Sequence, residues 1–339
     1  MATPPAAARR TPVDIPGTIW AATLGFFLVL FVVDLAIVGR RPHIPSTAEC
    51  LRWLSLYVGL AVVFGLVLGA WAGHERATEF YAGWITEYSL SVDNLFVFLL
   101  IMARFAVPRV LQQAALMWGI LIALALRAVF IALGAAVIAR YSWVFYLFGL
   151  FLVVTAVRLV REGETGDDEY HENALVRRLE RLPNATHEFH GTAIRTVVDG
   201  RRVWTPMLVV LIALGTTDVL FALDSIPAIY GLTSEPYIVF ATNVFALLGL
   251  RQLYFLLGDL LNRIVFLSIG LAVVLGFIGV KLVLEAMHTN TVPFLNGGEP
   301  YDVWVPSIGV SLAFIVTALA VTAATSLVVS RRRASGAAG

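Results

Sequence analysis

The sequence contains a series of apolar runs, each about as long as a helix must be to cross a lipid bilayer. The hydrocarbon core is about 30 Å thick, so one helical span takes roughly 20 residues. Nine runs fit this length, with an error of a few residues at each boundary: Gly17–Val38, Trp53–Gly73, Phe80–Met102, Val110–Ala139, Trp143–Val160, Pro206–Tyr230, Tyr237–Leu257, Ile264–Glu285 and Val303–Ser330. The sequence therefore predicts an all-α, polytopic membrane protein with about nine transmembrane helices, embedded in the lipid bilayer.

The composition excludes several other classes of protein. Hydrophobic residues make up 59% of the chain and charged residues 14%, whereas soluble domains have about 45–50% and 25%. The net charge of +1 provides no basic surface for nucleic acid. Cys50 is the single cysteine, so no internal disulfide can form. Because no nucleophile motif or nucleotide-binding loop is visible, we expect no enzyme activity, no tightly bound cofactor and no nucleic-acid partner; protein partners are not indicated.

Basic residues predict the orientation, because cytoplasmic loops are enriched in Lys and Arg. Most arginines outside the spans fall on the side that holds the C-terminus, which predicts an N-terminus outside and a C-terminus in the cytoplasm of a plasma (inner) membrane protein. The predicted segments are an extracytoplasmic tail (1–16), two helices (17–79), a first three-helix unit (80–160), a cytoplasmic loop (161–205), a second three-helix unit (206–285), an extracytoplasmic loop with the last helix (286–330), and a cytoplasmic tail (331–339).

The long cytoplasmic loop has two expected parts. Asp167–Leu182 has helical character, and Asp199-Gly200 is a favoured two-residue turn of a β-hairpin. A solvated connector and a regulatory element are both open interpretations. His187 and His190 with Glu188, or His171 between two glutamates, provide an alternative metal site in this loop, although loop histidines are usually only solvated.

The two three-helix units share a pattern of polar residues. Glu87 precedes Asp93 by six residues, and Asp218 precedes Asp224 by six. In the next helices Gly119 lies eight residues before Arg127, as Asn243 does before Arg251, and further along Gly149 corresponds to Gly270. Because three helices are an odd number, the second unit is expected to be inverted in the membrane. Inverted repeats are typical of secondary transporters, which bind their substrate at the midplane between the repeats.

Charges inside the predicted spans are the main functional signal, since each costs at least about 2.5–3.5 kcal/mol at the bilayer centre. The spans hold Glu87, Asp93, Asp218, Asp224, Arg127 and Arg251, with Asp34 nearer the end of the first span. Four acids against two arginines leave a surplus of two negative charges, which one divalent cation or two protons would neutralise. If both helices unwind near their acids, the acids can face one cavity together with Asn94, Ser225 and Asn243. These oxygen ligands favour Mg²⁺, Ca²⁺ or Mn²⁺ without distinguishing them.

Three long segments resemble the TerC family of integral membrane proteins, which is named for tellurium resistance and includes Alx-type manganese exporters. These segments are Glu87–Phe98, Thr217–Ile229 and Thr242–Tyr254, and the resemblance extends from about Trp20 to Lys281. It implies a transporter with manganese efflux as its activity. The acidic positions of the family correspond to Glu87, Asp93, Asp218 and Asp224, its polar positions to Asn94, Ser225 and Asn243, and an acid of the first span to Asp34. Gly215 departs from the family, which often has Glu there.

Two classes of function remain open at this stage. The first is a secondary exporter of Mn²⁺ or a similar hard divalent cation, with proton exchange at the acids and with Arg127 and Arg251 countering the acids or stabilising a closed state. The second is a non-transporting membrane assembly or stress-resistance factor that acts through partner proteins, which the long cytoplasmic loop favours. A transporter of an amino acid or an oxyanion is a third interpretation, and the surplus of acids disfavours an oxyanion.

Overall fold

Long helices build almost the entire fold, as the apolar runs predict. The computed structural model describes residues 15–40, 43–141, 143–162, 186, 188–198, 201–257, 266–290, 292 and 295–336. In this part of the chain the elements are α1 (Gly17–Arg40), α2 (Thr47–Ala72), α3 (His74–Arg104), α4 (Arg109–Arg140), α5 (Val144–Glu162), β1 (Arg195–Val198), β2 (Arg201–Trp204), α6 (Pro206–Tyr230), α7 (Pro236–Leu257), α8 (Leu267–His288) and α9 (Ile308–Gly336), with a short 3₁₀ turn at Asn296–Gly298. The prediction of an all-α polytopic membrane protein is confirmed.

Eight of the described helices are long and apolar enough to cross a membrane. The exception is α3, which has 31 residues and therefore sufficient length, but carries Glu75, Glu79 and Glu87 among its charged residues. The centre of the bundle is α7, because 89% of its most apolar stretch is buried, compared with 17% for α1 and for α9. Apolar side chains such as Leu28 and Leu66 are more than half exposed and form the lipid-facing surface.

The three-helix units α3–α5 and α6–α8 pack on each other through matching pairs of helices. The most extensive contact joins α5 and α8, the last helices of the two units. The first helix of each unit packs along the second helix of the other, so α3 lies on α7 and α6 lies on α4. The first helices, α3 and α6, also touch, as do the second helices, α4 and α7. The interface between the two units is therefore built from all six of their helices.

Glycines mark where these helices approach most closely, and the contacts come in reciprocal sets. A Cβ atom built on Gly119 of α4 would lie 3.0 Å from Leu214 of α6, and one on Gly83 of α3 would lie 2.9 Å from Thr242 of α7. Positions 83 and 214 are 131 residues apart, the same separation as between Glu87 and Asp218. Further along, Gly249 of α7 contacts Tyr88 of α3. Residue numbers thus increase together along α3 and α7.

The helix breaks expected next to the acids are not present. Both α3 and α6 are continuous helices through the positions of their acids. Pro227 is accommodated inside the last turn of α6, where a missing amide proton frees few carbonyl groups. Ser89 donates its hydroxyl proton to the Ile85 carbonyl oxygen at 2.8 Å, so this serine bonds the intact helix instead of a broken one. The expected unwinding is therefore wrong.

The predicted hairpin in the loop before α6 is present. Strands β1 and β2 are antiparallel, and Arg195 pairs with Trp204 and Val198 with Arg201. The guanidinium of Arg195 lies 3.5 Å from the ring centroid of Trp204, which is a cation–π contact. The turn residues Asp199 and Gly200 and the expected helix over Asp167–Leu182 lie outside the described residues.

Candidate functional site

Arg127 of α4 is the centre of a buried polar cluster that joins both three-helix units. Its Nε and Nη2 atoms donate to the two carboxylate oxygens of Asp218 on α6, at 2.8 and 2.9 Å. Its Nη1 atom donates to a carboxylate oxygen of Glu87 on α3 and, at 2.8 Å, to the amide oxygen of Asn243 on α7. All four side chains are at most 1% exposed. The cluster therefore links four helices through one guanidinium.

Several buried polar atoms on α3 and α6 have no hydrogen-bond partner in the part of the chain that the structure describes. They are Oε2 of Glu87, Oγ of Ser225, Nδ2 of Asn94 and Oγ of Ser91. The Ser225 side chain approaches Glu87 from α6. Buried polar groups without partners each cost about 1–3 kcal/mol, and each therefore calls for a physical explanation, such as a bound ion or water.

Asp224 does not reach the Arg127 cluster in this conformation. It is half-buried on α6 and accepts a hydrogen bond from the Thr155 hydroxyl of α5 at 3.3 Å. Asp93 lies on α3, but its side chain is outside the described part of the structure. The structure thus brings together Glu87, Asp218 and Asn243, and places Asp224 on the α5 side of the same helix.

Arg251, the expected counterpart of Arg127, forms a separate ion pair. Its Nη2 atom donates to Asp34 of α1 at 2.5 Å, and both side chains are buried. Its Nη1 atom has no hydrogen-bond partner among the described residues. Cys50 and Gln113 line the same small pocket as Arg251. Arg251 therefore neutralises Asp34 in this conformation, and among the described side chains it contacts none of Glu87, Asp218 and Asp224.

The charges of the described site do not balance. Glu87, Asp218 and Asp224 contribute three carboxylates, and Arg127 is the guanidinium that contacts two of them. The Arg127 cluster thus has one formal negative charge in excess, and Asp224, outside it on the α5 side of α6, adds a second. The described residues contain no group of three or more His, Cys, Asp or Glu side chains close enough to hold a metal ion.

Gly215, the departure from the family pattern, is a packing residue in this chain. It lies one helical turn before Asp218, and a Cβ atom built on it would be 3.0 Å from Ile122 of α4. A carboxylate at this position would point into the contact between α6 and α4 near Arg127. The close approach of α6 and α4 thus leaves little room for a longer side chain at position 215.

A second polar network was not predicted from the sequence. Arg76 at the start of α3 donates to Glu79 at 2.9 Å and to Glu235, before α7, at 3.1 Å. The Thr233 hydroxyl donates to Glu79 at 2.7 Å. The network joins the beginning of α3 to the loop between α6 and α7. Only the charge pattern near the helix ends could have indicated it, and that pattern does not identify partners 159 residues apart.

The alternative metal site in the loop is described only in part. Glu188 and His190 are exposed, which agrees with solvated side chains. His187 and the segment that contains His171 lie outside the described residues.

The fold and the buried ionic cluster define the class of a polytopic, helical membrane protein with charged residues in its interior. The family model described as "Integral membrane protein TerC family" matches residues 72–334, so the chain belongs to the TerC family. An uncharacterized membrane protein of Mycobacterium tuberculosis is 45% identical over 95% of this chain and 82% of its own length. A membrane protein of Myxococcus xanthus is 42% identical over 80% of this chain and 85% of its own.

A third relative carries a functional name. The Escherichia coli protein named membrane-bound redox modulator Alx is 35% identical over 78% of this chain and 85% of its own length. No solved structure gives a significant match.

Proposed function

We propose that this protein is a secondary transporter that exports a hard divalent cation, with Mn²⁺ the first candidate, across the plasma membrane. The observation that carries the proposal is the convergence of Glu87 and Asp218, from two different three-helix units, on one buried arginine. A purely structural ion pair would balance its charges. Here two carboxylates share one guanidinium, and a third carboxylate, Asp224, bonds only a hydroxyl among the described residues.

The chemistry of the unpartnered atoms favours a hard cation. Oε2 of Glu87 and the Ser225 hydroxyl, which approach each other, are buried without another hydrogen-bond partner among the described residues. Carboxylate and hydroxyl oxygens are the ligands that Mg²⁺, Ca²⁺ and Mn²⁺ prefer. The resemblance to manganese exporters favours Mn²⁺ among the three. Because the ligands bind a cation only when deprotonated, we expect export to be coupled to protons.

Arg127 has a defined role in this proposal. A guanidinium that binds both oxygens of Asp218 and one oxygen of Glu87 compensates these buried charges when no cation is bound. A cation that uses the same oxygens must displace Arg127 from at least one carboxylate. The matching helix pairs between the two units support alternating access, in which this site is exposed first to one side of the membrane and then to the other.

The decisive experiment is flux into proteoliposomes that contain the purified full-length protein. Mn²⁺, Ca²⁺, Mg²⁺ and Zn²⁺ are compared under an imposed pH gradient. We expect Mn²⁺ flux that Glu87→Gln, Asp93→Asn and Asp224→Asn each abolish, whereas the matched variant Asp302→Asn, at an exposed aspartate outside the helices, keeps it. If none of the four cations moves, the transport proposal is wrong.

A second candidate is a non-transporting stress-resistance factor that acts through partner proteins. The observation in its favour is the name of the Escherichia coli relative, a redox modulator. Deletion of residues 163–190 distinguishes the two functions, because an exporter should largely retain flux without this loop, while a factor that binds partners through it should lose its protective effect in cells. Retained protection together with retained flux supports the exporter.

A further inference from the structure

The hairpin β1–β2 has one face that combines exposed arginines with exposed apolar surface. Residues paired across two antiparallel strands lie on the same side of a sheet, and neighbours along each strand alternate between the two sides. By this rule one side of the hairpin, which we call the basic face, carries Arg195, Val197, Arg202 and Trp204. Both arginines are exposed, and Val197 beside them is 63% exposed. Arginine and tryptophan are favoured at membrane interfaces, so this face has an interfacial composition.

The opposite face of the hairpin is partly covered by the protein. It carries the pair Thr196 and Val203, whose side chains are both half-buried. Its exposed arginine is Arg201, which pairs with Val198 at the turn end of the hairpin. The basic face is therefore the more open of the two.

The hairpin lies next to the membrane boundary, because β2 runs almost directly into α6. Trp204 ends β2 and Pro206 begins α6, a helix long and apolar enough to span a membrane. A strand rises about 3.3 Å per residue, so Arg202 lies about 7 Å along β2 from Trp204. The headgroup region is about 5–8 Å thick on each side of the hydrocarbon, and charges act over about 8 Å in physiological salt. The basic face is thus within reach of lipid phosphates.

Hydrogen bonds and apolar packing fix the hairpin at the beginning of α6. The backbone amide of Thr186 donates to the Trp204 carbonyl oxygen at 2.8 Å, and that of Thr205 donates to the Ile194 carbonyl oxygen at 3.1 Å. Phe189, in the segment before β1, packs against the main hydrophobic core of the bundle. The basic face is therefore held in a defined place beside the membrane.

The charge of the hairpin is complementary to anionic headgroups. Residues 194–204 contain three arginines and one acid, Asp199. None of these arginines forms an ion pair with a described residue. A guanidinium binds phosphate through two parallel hydrogen bonds, and basic side chains beside a membrane are attracted to anionic lipids.

We propose that the basic face docks on the membrane surface and binds anionic phospholipids, with Arg195 and Arg202 on the headgroup phosphates and Val197 inserted between the headgroups. This docking does not depend on the proposed transport function. It fixes the depth in the bilayer of α6, the helix that carries Asp218.

Quenching by lipids tests the docking on the full-length protein in lipid nanodiscs. A bimane probe is attached to Val197→Cys in a Cys50→Ala background. The nanodiscs contain brominated phosphatidylcholine, either alone or mixed with brominated phosphatidylglycerol, which is anionic. We expect strong quenching with phosphatidylglycerol. Because salt screens the attraction to phosphates, high salt should reduce the quenching to the level in phosphatidylcholine, as should Arg195→Gln combined with Arg202→Gln.

The matched control compares two neighbouring arginines on opposite faces. Arg202→Gln and Arg201→Gln each remove one exposed charge from β2, and we expect Arg202→Gln to reduce the quenching more. Equal reductions overturn the assignment of the docked face.

Two further outcomes contradict the proposal. Quenching as strong in phosphatidylcholine as with phosphatidylglycerol overturns the anionic lipid as the partner. If neither lipid quenches the probe, the docking is wrong: access of iodide from the water then indicates a solvated hairpin, and its exclusion indicates a face covered by protein.

Discussion

Gly149 and Gly279 cross in direct backbone contact at the interface between α5 and α8. A Cβ atom built on Gly149 would lie 2.7 Å from the Gly279 carbonyl oxygen, and one built on Gly279 would lie 2.8 Å from the Gly149 carbonyl oxygen. The neighbours repeat this reciprocity, because Gly149 also contacts Val283 while Gly279 contacts Val153. Adding 130 to residue numbers 149 and 153 gives 279 and 283, so the contact of Gly149 with Val283 corresponds to that of Gly279 with Val153. The most extensive interface between the units thus depends on two residues without side chains.

Gly279→Ala should destabilise the protein at this crossing. The added methyl group would meet backbone atoms, which cannot rotate away as a flexible side chain can. Overpacking of this kind costs about 1–3 kcal/mol, and we expect a value toward the upper end. The measurement is the melting temperature in nanodiscs, with Gly149→Ala expected to show a similar loss.

A glycine in open surroundings is the matched control for this prediction. Gly59 lies inside α2, and a Cβ atom built on it has no neighbour within 4 Å. Because alanine favours a helix over glycine by roughly 0.5–1 kcal/mol, Gly59→Ala should leave the melting temperature unchanged or raise it. Equal losses at positions 59 and 279 would mean that the crossing is not the cause.

Asp218→Asn should weaken the fold and abolish cation flux. The change removes the charge that holds the Arg127 guanidinium through two hydrogen bonds and leaves Glu87 as the one carboxylate that this arginine contacts among the described residues. Removing one partner of a buried ion pair costs about 3–5 kcal/mol when the other charge is left uncompensated, and we expect a smaller loss here because Glu87 still pairs with Arg127. The free energy of unfolding and the flux are measured on the same preparation.

The design of this test separates stability from transport. Addition of a stabilising lipid or a lower assay temperature should restore the folded fraction of Asp218→Asn without restoring its flux. Flux that recovers together with the folded fraction would indicate that Asp218 has only a structural role.

The sequence predicted the helices well, because the length of an apolar run is enough to identify a span. The second unit begins with a helix over Pro206–Tyr230, the same bounds that the sequence predicts. The acidic positions were also visible, since a charge inside an apolar run is conspicuous. The partners of the arginines were not, because they depend on packing: Arg251 contacts Asp34 only because α1 packs beside α7, and no spacing along the chain encodes that contact.

The expected unwinding of α3 and α6 would let acids six residues apart face one cavity, whereas Asp224 faces α5 and bonds Thr155 on a continuous helix. Gly149 was matched with Gly270 from the sequence, and in the structure Gly149 packs against Gly279. Such a contact cannot be read from the sequence, because apolar helices with many similar residues permit several alignments.

Thr155→Val should weaken cation transport without harming the fold. The hydroxyl of Thr155 donates to Asp224 at 3.3 Å and positions this half-buried carboxylate. Hydrogen bonds to charged groups are worth about 1.5–3 kcal/mol, and since this one is long and partly exposed we expect about 1 kcal/mol, or roughly a fivefold rise in the half-saturating cation concentration. The maximal flux should change less.

The control for Thr155→Val is a threonine that bonds its own helix. The Thr216 hydroxyl donates to the Ile212 carbonyl oxygen at 2.7 Å and contacts no carboxylate among the described residues. Thr216→Val should therefore leave the half-saturating concentration unchanged. An identical effect of both variants would show that loss of a hydroxyl, and not the contact with Asp224, is responsible.

Cys50→Ala tests whether a thiol is needed, as a redox function of the protein itself would require. Cys50 is the single cysteine of the chain and is 2% exposed on α2, so no second thiol of this chain can form a disulfide with it. We expect a maleimide reagent to label the folded protein slowly and the unfolded protein fast, because burial blocks access to the sulfur. Cys50→Ala should keep both the cation flux and the protection of cells against stress. Loss of protection with flux intact would favour the redox factor over the exporter, because an oxygen-ligand cation site makes no use of this sulfur.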